Sequence, residues 1–252
     1  MKNNKRNLIA GMLLFVVTGT AFAQDKCFYE REGYVPLFNG KDLTGWKIPK
    51  GDNGHWSVVD GVIDYDARSE AEGLKDLWTG QSYTDFKLHI EWRFKGYGDL
   101  PYPVGIILPN GDYQRDENGE VIKTLQPNSD SGVYLKSWGQ QTNLWCWPAG
   151  SGELWVVRND KSLPPEVRAG AVPKENADKP VGQWNAFDIT VLGKRVTIVN
   201  NGIVVIDNAL YPGLEEKGPI GLQHHGGLDE KTGKLKKASS LVQFRNIWIK
   251  EL

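Results

Sequence analysis

His89, Glu91 and Arg93 stand at alternate positions of residues 85–94, DFKLHIEWRF. Alternation in an extended chain aims all three side chains the same way. Together they form an inventory for proton transfer and for holding a developing oxyanion. The same row also suits a merely solvated strand face. A second group lies in residues 130–160, DSGVYLKSWGQQTNLWCWPAGSGELWVVRND, where Trp138, Trp145, Trp147 and Trp155 are set among Tyr134, Gln141, Asn143, Glu153 and Arg158. A sugar ring needs aromatic faces for its C–H surfaces and short polar side chains for its hydroxyls. The tryptophans equally suit the core of a β protein, since large aromatics are mostly buried. A third group is PIGLQHHG, residues 219–226, with Gln223, His224 and His225. Gln223 and His225 share one face of an extended chain and His224 the other. His225 is the candidate if Gly221 and Gln223 face a groove, and His224 if the strand is bulged there.

The elements that position these groups read as strands. In 85–94, Phe86, Leu88, Ile90, Trp92 and Phe94 make a continuous apolar face opposite the polar one, the pattern of a half-buried strand. Residues 55–65 alternate on both sides of Asp60-Gly61, and residues 195–207 on both sides of Asn201-Gly202. Both dipeptides mark two-residue hairpin turns. Residues 184–192 form another alternating run. In the closing run 241–252, Val242, Phe244, Asn246 and Trp248 oppose Gln243, Arg245, Ile247 and Ile249. Residues 96–129 are an unusually long connection, a functional loop or a local hairpin that folds over one end of a sheet. Residues 227–240 read as a solvated loop. About a dozen strands, Gly-containing turns and no helix of convincing length predict a two-sheet antiparallel sandwich.

The formal charge of −1 and the absence of a basic stripe argue against nucleic acid as a partner. Residues 1–23 read as a signal peptide, with Lys2, Lys5 and Arg6 before an apolar run and Ala21-Phe22-Ala23 at the cleavage site. That segment predicts export to a periplasm or beyond. Residues 24–33 then form a tail and 34–252 one domain, with no membrane span in the mature chain. Cys27 and Cys146 can pair in an oxidising compartment. The spacing of the cysteines and the four histidines is not that of a zinc site.

FNGKDLTGW, LWTGQSYTDFKLHIEWRF, DSGVYLKS, NLWCWPAGSGELW, ADKPVGQWNAFDITV, GPIGLQHHG and VQFRNIWIKEL, in this order, resemble the bacterial 3-keto-disaccharide hydrolase family, also described as 3-keto-glucoside 1,2-lyases and 3-keto-2-hydroxy-glucal hydratases. The resemblance spans residues 34–252. It implies an all-β, concanavalin A-like jelly-roll sandwich of two antiparallel sheets, with the ligand site on the concave sheet, and an exported enzyme acting on 3-keto-glycosides. One departure is visible: where the family reads near GSGEVYGYR, this chain has GSGELWVVR, with Trp155 and Val157 in place of two tyrosines.

A carbonyl at C3 acidifies the hydrogen at C2, so the C1 substituent can leave by elimination. The reaction needs a base near C2, a donor or cation at the C3 oxygen and an acid near the leaving oxygen. On this implication Glu91, His224 or His225 is the base, Arg93 or Arg158 the enolate stabiliser, His89 their neighbour on the concave face, and Glu153 the second carboxylate. Tyr134, Gln141, Asn143, Trp145, Trp147 and Gln223 then bind the sugar. No cofactor is required; a shared face of His, Glu and Asp can hold a divalent cation, although nothing in the spacing demands one. The competing class is a non-catalytic carbohydrate-binding module, for which the same fold and tryptophans would serve. A conventional endo-glucanase would carry closely spaced acidic residues of the E-x-D-x-x-E type, which this chain lacks.

Overall fold

The computed structural model describes residues 28–97 and 102–252. The signal segment, Cys27 and therefore the Cys27–Cys146 pairing lie outside the described residues. These residues belong to two compact units, one ending at Tyr34 and the other Val35–Leu252. Among the described residues, the second unit carries every strand.

The larger sheet runs β13(Ile203–Leu210), β12(Arg195–Asn200), β11(Asn185–Leu192), β6(Phe86–Phe94), β15(Val242–Glu251), β4(Val62–Tyr65), β3(Trp56–Val59), with β1(Val35–Pro36) also paired to β15. The smaller sheet runs β10(Gln141–Trp145), β9(Asp130–Leu135), β14(Ile220–Leu222), β5(Leu77–Thr79), β2(Trp46–Lys47). Every named pairing in both is antiparallel. The molecule is an all-β jelly-roll sandwich: the alternation predicts its two antiparallel sheets, and the family resemblance implies the jelly roll.

The two hairpin turns take the geometry their sequences require. Asp60 and Gly61 have φ of 51° and 77°, Asn201 and Gly202 52° and 85°, so both central residues are left-handed as a type I′ turn demands. Between the sheets, Phe86, Leu88, Ile90, Trp92 and Phe94 of β6 pack in one core with Val133, Leu135, Leu144, Ile220 and Leu222 of the smaller sheet. Full burial of each such side chain contributes roughly 1.5–3 kcal/mol. That core fixes which way the intervening polar residues point.

Three local expectations need correcting. In β15 the alternation breaks: the register with β6 shifts between Arg245 and Trp248, and Asn246 adopts φ 50°. The bulge turns Ile247 and Ile249 inward to join Val242 and Phe244 in the core, leaving Asn246 and Trp248 out of it. Trp145, Trp147 and Trp155 stand at positions that would share a face if the strand continued, but β10 ends at Trp145. Two short helices follow, α1(Trp155–Asn159) and α2(Pro165–Gly170), so Trp155 does not alternate with Trp145. The loop 227–240 is solvated only in its middle, because Ala238, Ser239 and Ser240 are buried.

Within 96–129, β7(Tyr102–Gly105) and β8(Lys123–Gln126) form a local hairpin. Gly105 is required there, since a Cβ would stand 2.6 Å from the ring of Tyr113.

Candidate active site

The outer face of the smaller sheet carries the site. In β9 the residues facing away from the core are Asp130, Gly132 and Tyr134; in β10 they are Gln141, Asn143 and Trp145. The antiparallel register sets Tyr134 opposite Gln141, Gly132 opposite Asn143 and Asp130 opposite Trp145. Gly132 forms a floor between them: a Cβ there would lie 2.9 Å from Oε1 of Gln223 and 3.1 Å from the Thr142 carbonyl. Over this floor opens a cavity of about 430 Å³, walled by Tyr102, Tyr134, Trp138, Trp145, Trp147 and Trp155, with Asp130, Gln141, Asn143, Gln223 and His225 as its polar lining.

Each wall has a local cause. Trp145 and Trp147 stack with ring centroids 4.2 Å apart and planes 7° from parallel, and Trp145 Nε1 donates to the Gly150 carbonyl at 2.6 Å. Trp147 Nε1 is buried and has no hydrogen-bond partner among the described residues. Trp78 stacks on Tyr134 at 4.9 Å, and Gly221 makes this closure possible, because a Cβ would come within 2.7 Å of the Trp78 ring.

Besides its two tyrosines, the titratable groups lining the cavity are Asp130 and His225. His225 Nδ1 lies 2.8 Å from the Ala238 carbonyl. A carbonyl only accepts, so this contact protonates Nδ1 in the neutral ring and leaves Nε2 with the lone pair. Its backbone N–H donates to Ser240 Oγ at 2.7 Å, and that hydroxyl donates to the Asp130 carbonyl at 2.7 Å. The buried end of the 227–240 loop thus ties His225 to Asp130. Burial pushes the Asp130 carboxyl up to about 6, against the opposing attraction of His225.

Glu153 and Arg158 stand behind the cavity. Both are buried and form an ion pair between Arg158 Nε and Glu153 Oε1. Glu153 Oε2 accepts from Asn143 Nδ2 at 3.3 Å, and Asn143 Oδ1 accepts from Gln141 Nε2 at 2.5 Å. Arg158 also donates to the Tyr113 hydroxyl at 3.0 Å. Glu153 therefore holds the amides that line the cavity without lining it itself.

His89, Glu91 and Arg93 stand elsewhere. Their neighbours in β6 point into the core between the sheets, so they lie on the outer face of the larger sheet, on the opposite side of the sandwich. Each is engaged there. His89 Nδ1 is 2.7 Å from Asp188, Glu91 accepts from Arg245 at 2.6 Å and from Asn246 at 2.9 Å, and Arg93 donates to Gln243 at 2.7 Å. The guanidiniums of Arg93 and Arg245 both lie over the Trp184 ring, at 4.6 and 4.0 Å. The expectation that this row shares a groove with the tryptophans is not met.

His224 is also apart from the cavity. Its Nδ1 is 2.5 Å from the Tyr65 hydroxyl, and its backbone N–H donates to Asp76 Oδ1 at 2.8 Å. Burial brings its ring down to about 4. Gly221 and Gln223 face outward, which places His225, rather than His224, on the cavity side.

Trp138 and Trp155, members of the aromatic group read from the sequence, join the lining, and Asp130 and Tyr102 complete it beyond the residues singled out there. Asp130 shares its face with Tyr134 by simple alternation, a signal present in DSGVYLKS. Tyr102 gave none, because its position depends on the fold of a long connection. Among the described residues no three His, Cys, Asp or Glu side chains converge as a cation site would need.

An aromatic cavity with a few convergent amide and carboxylate groups, on one sheet of an antiparallel jelly roll, marks a carbohydrate-active domain. The chain belongs to the 3-keto-alpha-glucoside-1,2-lyase-like domain family, whose model matches residues 33–250. No curated protein matches it. Among solved structures, two candidate glycosyl hydrolases from Parabacteroides distasonis ATCC 8503 share the fold. One has a TM-score of 0.53 at 21% identity, over 91% of this chain and 96% of that one. The other has 0.51 at 22%, over 87% and 84%.

Proposed function

We propose that this protein is an exported enzyme that cleaves 3-keto-glycosides, either 3-keto-disaccharides or 3-keto-glucosides, by elimination. The observation that carries the reading is the Asp130–His225 pair inside an aromatic-walled cavity, in a chain of this family. His225 Nε2 takes the proton from C2, and the C–H electron pair becomes the C2=C3 bond of an enolate. A side-chain amide N–H of the lining, from Gln141 or Gln223, is the donor for the C3 oxygen. Collapse of the enolate re-forms the carbonyl, makes the C1=C2 bond and breaks the bond from C1 to the leaving oxygen. Asp130, its carboxyl raised toward neutrality, gives that oxygen a proton. Hydration of the resulting glucal would add water across C1=C2, hydroxyl to C1 and proton to C2, with the two groups exchanging roles. No step calls for a metal or cofactor.

The purified protein, incubated with a 3-keto-glucoside and with its unoxidised parent, is expected to release the aglycone from the keto sugar alone. His225→Gln is expected to lower kcat by roughly 10²–10⁴-fold, the usual worth of a positioned acid or base. Binding of the keto sugar with no release would replace this reading by that of a carbohydrate-binding module. One observation favours that alternative: among the described residues no Lys or Arg side chain lines the cavity, since Arg158 is paired with Glu153 behind it and Arg93 faces away.

A further inference from the structure

The segment that returns to His225, residues 238–240, is wound more tightly than a surface loop requires. Ala238 is buried and adopts φ 58°. A left-handed alanine is strained, and such strain persists only where surrounding structure imposes it. Gly226, at φ 79°, approaches so closely that a Cβ there would stand 2.7 Å from the Ser239 Cα. Ser239 Oγ donates to the Lys236 carbonyl at 2.7 Å and accepts from the Gly227 N–H at 3.1 Å.

A further contact reaches this segment from a distant part of the chain. Ser129, fully buried and next in sequence to Asp130, forms an isolated parallel bridge with Ala238. Its hydroxyl donates to the Ser239 carbonyl at 2.9 Å, which also accepts the Leu241 N–H from two residues on, at 2.9 Å. The Ala238 and Ser239 carbonyls belong to successive planar peptide groups, so only the φ and ψ of Ser239 separate them. Holding one therefore limits how far the other can turn, and the Ala238 carbonyl is the one that faces His225 Nδ1.

We propose that Ser129 is a positioning residue for His225. By holding the Ser239 carbonyl it keeps Ala238 left-handed and the Ala238 carbonyl aimed at Nδ1, so that Nε2 carries the lone pair. For its effect on rate the inference rests on the elimination reading above, and it deepens that reading by naming what fixes the tautomer of the base. Ser129 itself lies outside the cavity lining. A free neutral imidazole in water prefers its proton on Nε2, so a ring released from Ala238 would be protonated where the base needs its lone pair.

The test reads the ring directly, by nitrogen NMR at alkaline pH on the full mature chain carrying isotope-labelled histidine. The His225 signals are those that vanish in His225→Gln. Wild type is expected to show Nδ1 protonated and Nε2 bare. Ser129→Ala is expected to raise the share of the opposite tautomer about tenfold relative to the first, the order that one hydrogen bond supplies. On a 3-keto-glucoside it should lower kcat by up to about tenfold and leave KM within about twofold. A proton on Nε2 in wild type, or a folded Ser129→Ala with the wild-type ring signature, would overturn the assignment. Should Ser129→Ala melt too low to be measured, Ser129→Cys is read by the same criteria, since its thiol is a weaker donor on a side chain of similar shape. Should wild type turn over no keto sugar, the elimination reading fails, while the ring signature still decides the role of Ser129.

Discussion

At the scale of single residues, burial sets the chemistry of the site. Asp130 has its carboxyl raised to about 6 from an ordinary 3.8, so burial penalises its charged form. Its contribution to stability therefore falls as pH rises from about 4 to about 6. Asp130→Asn is expected to melt higher than wild type at pH 7.5 and to converge with it near pH 4. If Asp130 is the proton donor, kcat should also decline as pH rises through about 6, and that limb should be absent in the variant. His224 works in the opposite sense. Its ring is lowered to about 4 from 6.5, so the unfolded chain takes up a proton that the folded one refuses. The stability it contributes is complete above pH 6.5 and is lost as pH falls toward 4. His224→Gln should accordingly lose less melting temperature than wild type between pH 7 and 5, although Asp76, raised to about 6 by burial, partly offsets the loss in both. Glu153 and Arg158 form the buried pair whose halves cannot be removed singly. Glu153→Leu should cost about 3–5 kcal/mol in urea unfolding, since Arg158 would be left buried and unpaired.

At the scale of elements, the decisive facts are which face a strand presents and where its alternation breaks. Strand β6 was legible residue by residue: its apolar face is the core face. What its polar face looks onto depends on the neighbouring strands β11 and β15, which pair Asp188 with His89 and bring Arg245 to Glu91. Glu91→Gln should leave kcat within about twofold while lowering the melting temperature, because it weakens the contacts to Arg245 and Asn246. A large loss of kcat with an unchanged melting temperature would return Glu91 to the chemistry. The bulge at Asn246 was invisible to a period-two reading of β15, since one inserted residue reverses every side chain beyond it. Gly221 shows the reverse case, a residue whose absence of side chain positions two others. Gly221→Ala should cost about 1–3 kcal/mol by overpacking against Trp78 and Tyr134. It should also raise KM more than it lowers kcat, since Tyr134 walls the cavity while Asp130 and His225 stay in place.

At the scale of the whole molecule, two sheets with one shared core have two outer faces, and chemistry-bearing residues are distributed over both. The larger sheet carries an ion-paired, hydrogen-bonded lattice; the smaller carries the aromatic cavity. The helices and the hairpin of β7 and β8 border the smaller sheet, supplying Trp155 and Tyr102 to the lining and Tyr113 to Arg158. No described helix is long and apolar enough to cross a membrane. Expression of the full chain in a bacterial host is expected to yield periplasmic protein whose N-terminal sequence begins at Gln24, the residue after Ala21-Phe22-Ala23. Retention of residues 1–23 in the cytoplasm would overturn export.

Alternation, turn dipeptides and the order of family motifs were enough to determine an antiparallel sandwich, its core residues on β6 and the aromatic and amide character of residues 130–160. These are local properties, set by period-two geometry and by side chains that favour left-handed turns, and they survive without knowledge of long-range contacts. Which residues meet is not local. His225 and Asp130 are brought together by the buried return of residues 238–240, Glu153 is turned to hold Asn143 from behind, and His89, Glu91 and Arg93 are carried to the far side of the sandwich. Only tertiary structure decided these, because a strand's sequence states that it has two faces, while the packing of one sheet on another determines which face meets the ligand.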